Sequence, residues 1–335
     1  MAHELSISAD GRASMAFIGP TPWHGLGQQL TPGADLVTWR REAGLEWSVE
    51  RSIVEYKRKL EDGSIITERD PENLMLYRSD TGKPLSIRGK IYKTVQPEVV
   101  FAFYRDLATK YGFEMETAGH VKGGRRIWAL ANCRNVIKLR GDDRVALYLL
   151  FATSYDGTMS TQVKLTPIRV VCNNTLSAAD RDAGRACVIV PHSANFDAEA
   201  VKLDMGIDET FERFGQQAKL MTERVVQKDE VVQLFMKAYY DLSGVEEIRE
   251  FHDDPKNKES AEKLMKRLTN ALFNSPGANL ASARGTLWGA LNAVTYDVDF
   301  AKPARSQENR LNSAWFGDGA AIKQRAHDAA LALVA

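Results

Sequence analysis

The sequence predicts an α+β fold: an antiparallel sheet of β-hairpins flanked by helices, followed by an α-rich C-terminal lobe. Three observations predict it. Segments of two-residue apolar alternation, broken by Asp-Gly and Lys-Gly-Gly turns, fill residues 47–165. An amphipathic helical stretch with Val99, Val100, Phe103, Leu107 and Tyr111 on one face interrupts them. Helical periodicity takes over beyond residue 195, with no internal repeat and no heptad run.

Taken in order, residues 1–14 form a polar tail, expected to be flexible, without the basic and apolar blocks of a secretion signal. Residues 15–33 are a Gly/Pro-rich loop, and a short helix is expected around 36–43. Asp62-Gly63 joins strands at Trp47–Lys59 and Ser64–Glu68, and a turn over 80–84 joins Leu74–Arg78 to Leu85–Val95. Pro97 opens a helix that Gly112 closes. Strands follow at Phe113–Val121, Arg125–Cys133, Arg144–Tyr155 and Thr158–Leu165, the last two joined by Asp156-Gly157. On the last strand Met159, Thr161, Val163 and Leu165 are assigned to the core, and Ser160, Gln162 and Lys164 to the outside. Thr166-Pro167 reads as the cap and first turn of a helix reaching Ala179. Helices over Asp208–Leu242, Glu259–Phe273, Ala281–Tyr296 and Gly319–Val334 complete the chain, with a polar break at Asp253–Lys258. The expected division is a tail (1–14), an α+β core carrying a basic sheet (15–194) and a helical lobe packed on it (195–335).

No apolar run reaches the eighteen or so residues of a membrane helix. Cys133, Cys172 and Cys187 are an odd set without a CxxC pair, so a reducing cytoplasm is expected rather than a disulfide framework. Forty-four basic and forty-four acidic residues cancel, so overall charge is silent about nucleic acid. Its distribution is not. Residues 119–170 hold nine Lys/Arg against three Asp, and 81–97 hold four Lys/Arg and no acid. Residues 195–262 hold nine bases against seventeen acids. This segregation predicts one electropositive face and one acidic helical lobe.

Motifs for cofactor or metal chemistry are missing: no phosphate-cradling GxxxxGK[ST], GxGxxG, HExxH, EF-hand loop or GxSxG occurs. The histidines are scattered, and His24 beside Trp23 reads as a structural loop residue. Glu55-Tyr56-Lys57 with upstream Asp35 resembles the ExK strand of Mg²⁺ nucleases, which use carboxylates to hold metal and a lysine to position water. Alternating charges on a solvated strand give the same pattern. Asp297 and Asp299 form another carboxylate pair, assigned to an exposed helix end.

The basic sheet remains. Arg88, Lys90, Lys93, Lys122, Arg125, Arg126, Lys138, Arg140, Arg144, Lys164 and Arg169, interleaved with Tyr155, Tyr148 and Trp128, are the candidate nucleic-acid-binding set, with Trp128 itself assigned to the core. Single-strand binders need spaced charges for an extended backbone and rings on which bases stack.

Seven stretches resemble the phage/plasmid-like protein family, a domain-of-unknown-function family of prophages and plasmids. They are TPWHGLG (21–27), YRSDTGKPLS (77–86), 92–96 with Glu98, ATSYDGT (152–158), TPIRVVCNNTLSAA (166–179), GTLWGALNAVTYDVD (285–299) and AWFGDGAAIK (314–323). The chain departs from the family at Pro97, where Asn is usual, and at Asp299-Phe300, where Asp-His is usual; a catalytic histidine there could not be replaced by Phe300. The resemblance implies a mobile-element setting. A hairpin sheet followed by a helix is also similar to the core of the RecT/Redβ and Rad-type single-strand annealing proteins, an analogy of fold alone.

The expectation is a non-enzymatic, cofactor-free protein that binds single-stranded DNA and anneals strands, as a ring or helical filament of identical copies. A companion exonuclease or host single-strand binding protein is a further expected partner, and a membrane is not. The rivals are a scaffold or inhibitor that binds a host protein through its acidic segment, and a Mg²⁺ nuclease.

Overall fold

The computed structural model describes residues 11–19, 27–171, 174–175, 187–204 and 206–334. Trp23, His24, Cys172 and, of the expected helix up to Ala179, residues 173 and 176–179 lie outside the described residues. The fold is mixed α+β, as expected. Strands β1 (Met15–Ile18) and β2 (Gln28–Leu30) precede helix α1 (Leu36–Glu42). Then come β3 (Val49–Lys59), β4 (Ile65–Arg78), β5 (Pro84–Gly89) and α2 (Pro97–Tyr111). The long strands β6 (Glu114–Val121), β7 (Arg126–Leu139), β8 (Asp143–Ser154) and β9 (Thr161–Arg169) are followed by short β10 (Asn174–Thr175) and β11 (Cys187–Val190). Helices α3 (Ala198–Asp204), α4 (Ile207–Glu223), α5 (Lys228–Tyr240), α6 (Val245–Asp253), α7 (Pro255–Asn274), α8 (Leu287–Tyr296), α9 (Gln307–Phe316) and α10 (Asp318–Ala332) end the chain.

Two sheets result. The larger runs β10-β9-β8-β7-β6-β1-β2, with β11 also pairing β9; the smaller is β3-β4-β5. The expected loop over 15–33 carries strands β1 and β2, and two further expectations need correction. The two hairpins proposed before residue 95 share β4, a continuous strand of 14 residues. Pro71 broke the pattern in the sequence, and it sits in a bulge: Ile53 pairs with Leu74 and the next residue, Val54, with Asp70. The Asp70 carboxylate satisfies that bulge by accepting from the backbone N–H groups of Glu72 and Asn73. The second correction is that Thr166 and Pro167 do not start a helix but continue β9 to Arg169. Pro167 is tolerated because it falls between the two partners on that side, β11 opposite residues 161–164 and β10 opposite 168–169. The inward set Met159, Thr161, Val163 and Leu165 is buried as assigned. The long stretch 208–242 divides into α4 and α5 around Arg224–Gln227.

The chain forms two compact units that interleave in sequence, where the sequence reading divides it once near residue 194. The first comprises Met1–Cys133, Leu149–Lys164 and Cys187–Asp204; the second Arg134–Tyr148, Leu165–Ala186 and Met205–Ala335. In the first, α2 buries Val100, Phe101, Phe103, Tyr104 and Leu107. Phe103, Phe151 and Phe196 meet edge to face at centroid distances of 5.2–5.9 Å. The Tyr104 hydroxyl lies 2.8 Å from the carbonyls of both Ala129 and Leu149, so its one proton serves two acceptors. Gly112 ends α2 in the left-handed region at φ 69°, as its place in the sequence predicts.

In the second unit α8 is almost wholly buried, and Gly289 lets it in: a Cβ there would lie 1.9 Å from the carbonyl oxygen of Ala283. The unit is organised around Asp143, which has no solvent exposure. Its carboxylate accepts from Arg169 Nε and Nη2 at 2.7–3.0 Å, from the Ser282 hydroxyl at 2.6 Å and from Trp288 Nε1 at 3.0 Å. Arg169 Nη2 also donates to the Gly277 carbonyl at 3.0 Å. A buried carboxylate is tolerable only with such a set of donors.

Asp143→Ala leaves the buried Arg169 guanidinium without its anion, and is expected to lower unfolding stability by ~3–5 kcal/mol in a urea titration. Asp142→Ala removes only an exposed partner of Arg144 and should leave the midpoint nearly unchanged. Equal midpoints for the two variants would refute the central role of Asp143.

Candidate nucleic-acid interface

Eight of the twelve candidate residues fall in the first unit: Arg88, Lys90, Lys93, Lys122, Arg125, Arg126, Tyr155 and Lys164. Lys138, Arg140, Arg144 and Arg169 fall in the second. The expected single basic sheet is thus spread over two sheets and two units, because hairpins adjacent in sequence enter different sheets.

Within the first unit, Arg88, Arg126 and Lys122 act on the turn between β8 and β9, residues 155–160, and the backbones of Arg125 and Lys93 adjoin it. Arg88, from β5, donates to the Asp156 carbonyl and lies over the Tyr92 ring at 5.9 Å. Arg126, at the start of β7, donates to the Thr158 hydroxyl at 2.9 Å. The backbone N–H of Tyr155 donates to the carbonyl of Arg125, whose side chain is exposed. Lys122 is exposed and close enough to act on Asp156. Burial works to raise the Asp156 carboxyl, but hydrogen bonds from Thr158 and the charges of Arg126 and Lys122 hold it below its ordinary value. Gly157 is required: its φ is +67°, and a Cβ would lie 2.8 Å from the Arg88 guanidinium.

Exposed Lys93 joins the group through the backbone. His192 Nδ1 lies 2.9 Å from the Lys93 carbonyl and its Nε2 3.0 Å from that of Met159. The ring stacks on half-buried Tyr92, centroids 4.3 Å apart and 22° between planes. Tyr92 donates to the Ser154 carbonyl at 2.8 Å, and burial pushes its hydroxyl up to about 12. Neither Tyr92 nor His192 belongs to the sequence-derived set. Only the Arg88–Lys93 spacing hinted that a ring sits among those charges.

Several candidates have structural roles instead. Tyr155 is fully buried, donates to the Val95 carbonyl at 2.8 Å and packs against Trp47, so no base can stack on it. Arg169 is the buried partner of Asp143. Arg126 is buried, so its charge acts from below the surface. Arg144 pairs with Asp142 at 3.1 Å. Lys164 is half-buried opposite Cys187 in the β9–β11 register. Lys90, Lys138 and Arg140 are exposed. Trp128 is a core residue, as assigned, and Tyr148 is half-buried.

The nuclease pattern dissolves into local roles. Asp35 caps α1 by accepting from the Thr38 N–H at 2.7 Å, and Glu55 pairs with Arg69 at 3.0 Å. Among the described residues no group of three or more His, Cys, Asp or Glu is placed to hold a metal. Asp297 and Asp299 are not at an exposed helix end but buried in a five-residue π-helical turn after α8. Arg267 grips Asp297 with two bonds of 2.9 and 3.0 Å, Tyr239 donates to the same carboxylate, and Lys323 pairs with Asp299 at 2.8 Å. The signal in the sequence was the apolar run before them, which leaves α8 no solvated face.

A cavity of about 370 Å³ in the first unit is lined by Arg12, Arg41 and Arg78 with Glu42, Glu46 and Asp80. Arg12 and Arg41 pair with Glu42 and Arg78 with Asp80, so its walls exert little net pull on an anion. Beside it Arg78 lies over Trp47 at 4.5 Å, and its Nη1 is 3.4 Å from His120 Nε2.

The arrangement defines an α+β protein with a hairpin sheet, a larger curved-order sheet and a basic cluster gathered on one turn. Residues 84–315 match the model of the domain of unknown function DUF932, and the chain belongs to that family. The curated proteins and the solved structures give no significant match. Among the described residues no helix is long and apolar enough to cross a membrane.

His120 yields a pH prediction. Burial first, then the Arg78 charge, pushes its pKa down to about 3. An unfolded histidine takes its proton near 6.5. Between these values the unfolded chain binds the extra proton, so stability falls as pH drops through that window. The loss amounts to no more than about 5 kcal/mol from this group. His120→Gln should flatten stability against pH between 6.5 and 3 in denaturant titrations. An unchanged slope would exclude His120 as the titrating group.

Proposed function

We propose that this protein binds single-stranded DNA without chemistry and promotes annealing of complementary strands, acting as an oligomer in the recombination of a phage or plasmid. The observation that carries the reading is the cluster on the β8–β9 turn. Arg88, Lys122, Arg125 and Arg126 stand there around Asp156, with Lys93 and the Tyr92–His192 stack alongside. Arg88 donates to a carbonyl, which orients its guanidinium without cancelling its charge. Exposed Lys93, Lys122 and Arg125 supply the phosphate contacts. Such contacts position a strand without reading its sequence, as annealing requires.

Anisotropy of a labelled oligo-dT across a salt series tests this. Wild-type protein should bind with a log–log salt slope near −0.7 per phosphate contacted. Replacing Lys122 and Arg125 together by alanine should weaken binding at least tenfold and reduce the slope by about 1.4, two contacts at ~0.7 each. The exposed α7 lysines Lys256 and Lys258 serve as the control pair, whose replacement should change neither quantity. Equal effects from both pairs, or no binding by the wild type at low salt, would sink the proposal.

A further inference from the structure

Among the described residues β3 pairs on one side only, with β4, along all eleven of its residues. Beyond the bulge the smaller sheet thins to a two-stranded arm, Val54–Lys59 against Ile65–Asp70, because β5 reaches β4 only from Asn73 to Tyr77. The arm is exposed along β3, and Ile53, Tyr56 and Ile65 keep 51%, 49% and 65% of their surface in solvent. A lone two-stranded ribbon is marginally stable in water, and a long edge with apolar, β-branched residues and no proline is a template for another strand.

The inner end of this edge shows which groups face outward. The side-chain amide of Gln96 brackets Val49, accepting from its N–H at 2.8 Å and donating to its carbonyl at 3.1 Å. The main-chain groups of Val49 therefore point away from β4. Carried along the strand, that alternation turns the N–H and C=O groups of Ile53, Glu55, Lys57 and Lys59 outward as well.

We propose that this edge pairs with the same edge of a second copy of this chain, antiparallel about a two-fold axis at Tyr56. That register sets Glu55 of each copy opposite Lys57 of the other and Ile53 opposite the aliphatic stem of Lys59. All four are residues whose backbone groups point outward, so the bonding pattern closes. Moving the axis to Arg58 would oppose Lys57 and Lys59, like against like, so charge selects the register. The two three-stranded sheets then become one of six strands, in an isologous dimer. The inference rests on the oligomeric part of the reading above and is independent of DNA binding.

Light scattering on the full chain, without DNA, from low to tens of micromolar, reads it directly. The wild type should approach twice 37.3 kDa. Lys57→Pro removes an outward N–H without touching a bond to β4, and should give a monomer with an unchanged circular dichroism spectrum. Lys57→Glu should weaken association about tenfold, and adding Glu55→Lys should restore it, since the charges are then exchanged across the axis. A wild type monomeric throughout, a dimer indifferent to Lys57→Pro, or a double exchange without rescue would each overturn the proposal. Oligo-dT anisotropy on the same samples tells a failed DNA reading from a failed dimer.

Discussion

A carboxylate stripped of water has to be surrounded by donors, and in the helical unit Asp143 is that carboxylate. Its two oxygens draw in Arg169 from β9, Ser282 from the turn before α8 and Trp288 from α8 itself. Each donor would be costly to bury alone: a guanidinium, a hydroxyl and an indole N–H. Together they satisfy one another, and α8 can then sink its remaining surface into apolar surroundings. The π-helical turn after α8 repeats the device, with Arg267 and Tyr239 on Asp297 and Lys323 on Asp299.

Stretches that carry the family resemblance gather at such points. In the first unit, Ser86 and Tyr92 donate to the carbonyls of Tyr155 and Ser154, and Tyr155 donates to that of Val95. Gln96 holds the start of β3. In the second, the stretch at 285–299 supplies Trp288, Asp297 and Asp299, and that at 314–323 supplies Lys323. Much of what these stretches supply is therefore hydrogen bonding that the fold requires. The basic turn differs: Lys93, Lys122 and Arg125 beside it are exposed.

Charge summed along a sequence is a poor guide to charge on a surface. Of the cations counted over 119–170, Arg126 and Arg169 are buried and Arg144 stands against Asp142. The cluster that survives draws instead on three separate pieces of chain, the β5 end, the β6–β7 connection and the β8–β9 turn, joined by hydrogen bonds at the turn.

Local physics determined the elements. Periodicity of two marked the strands, Pro97 and Gly112 delimited α2, and Asp156-Gly157 marked the turn on which the basic residues meet. These features depend on neighbours a few residues apart, and one chain carries all the information they need. Tertiary structure alone decided the rest. Whether Pro71 ended a strand or sat in a bulge, whether Pro167 opened a helix or continued β9, and which arginines faced water depended on partners far along the chain. An arginine beside a glycine looks alike in sequence whether its counter-charge is solvent or a buried carboxylate. Only the packing that brought Asp143 to Arg169, and left Arg125 exposed, separated structure from candidate function.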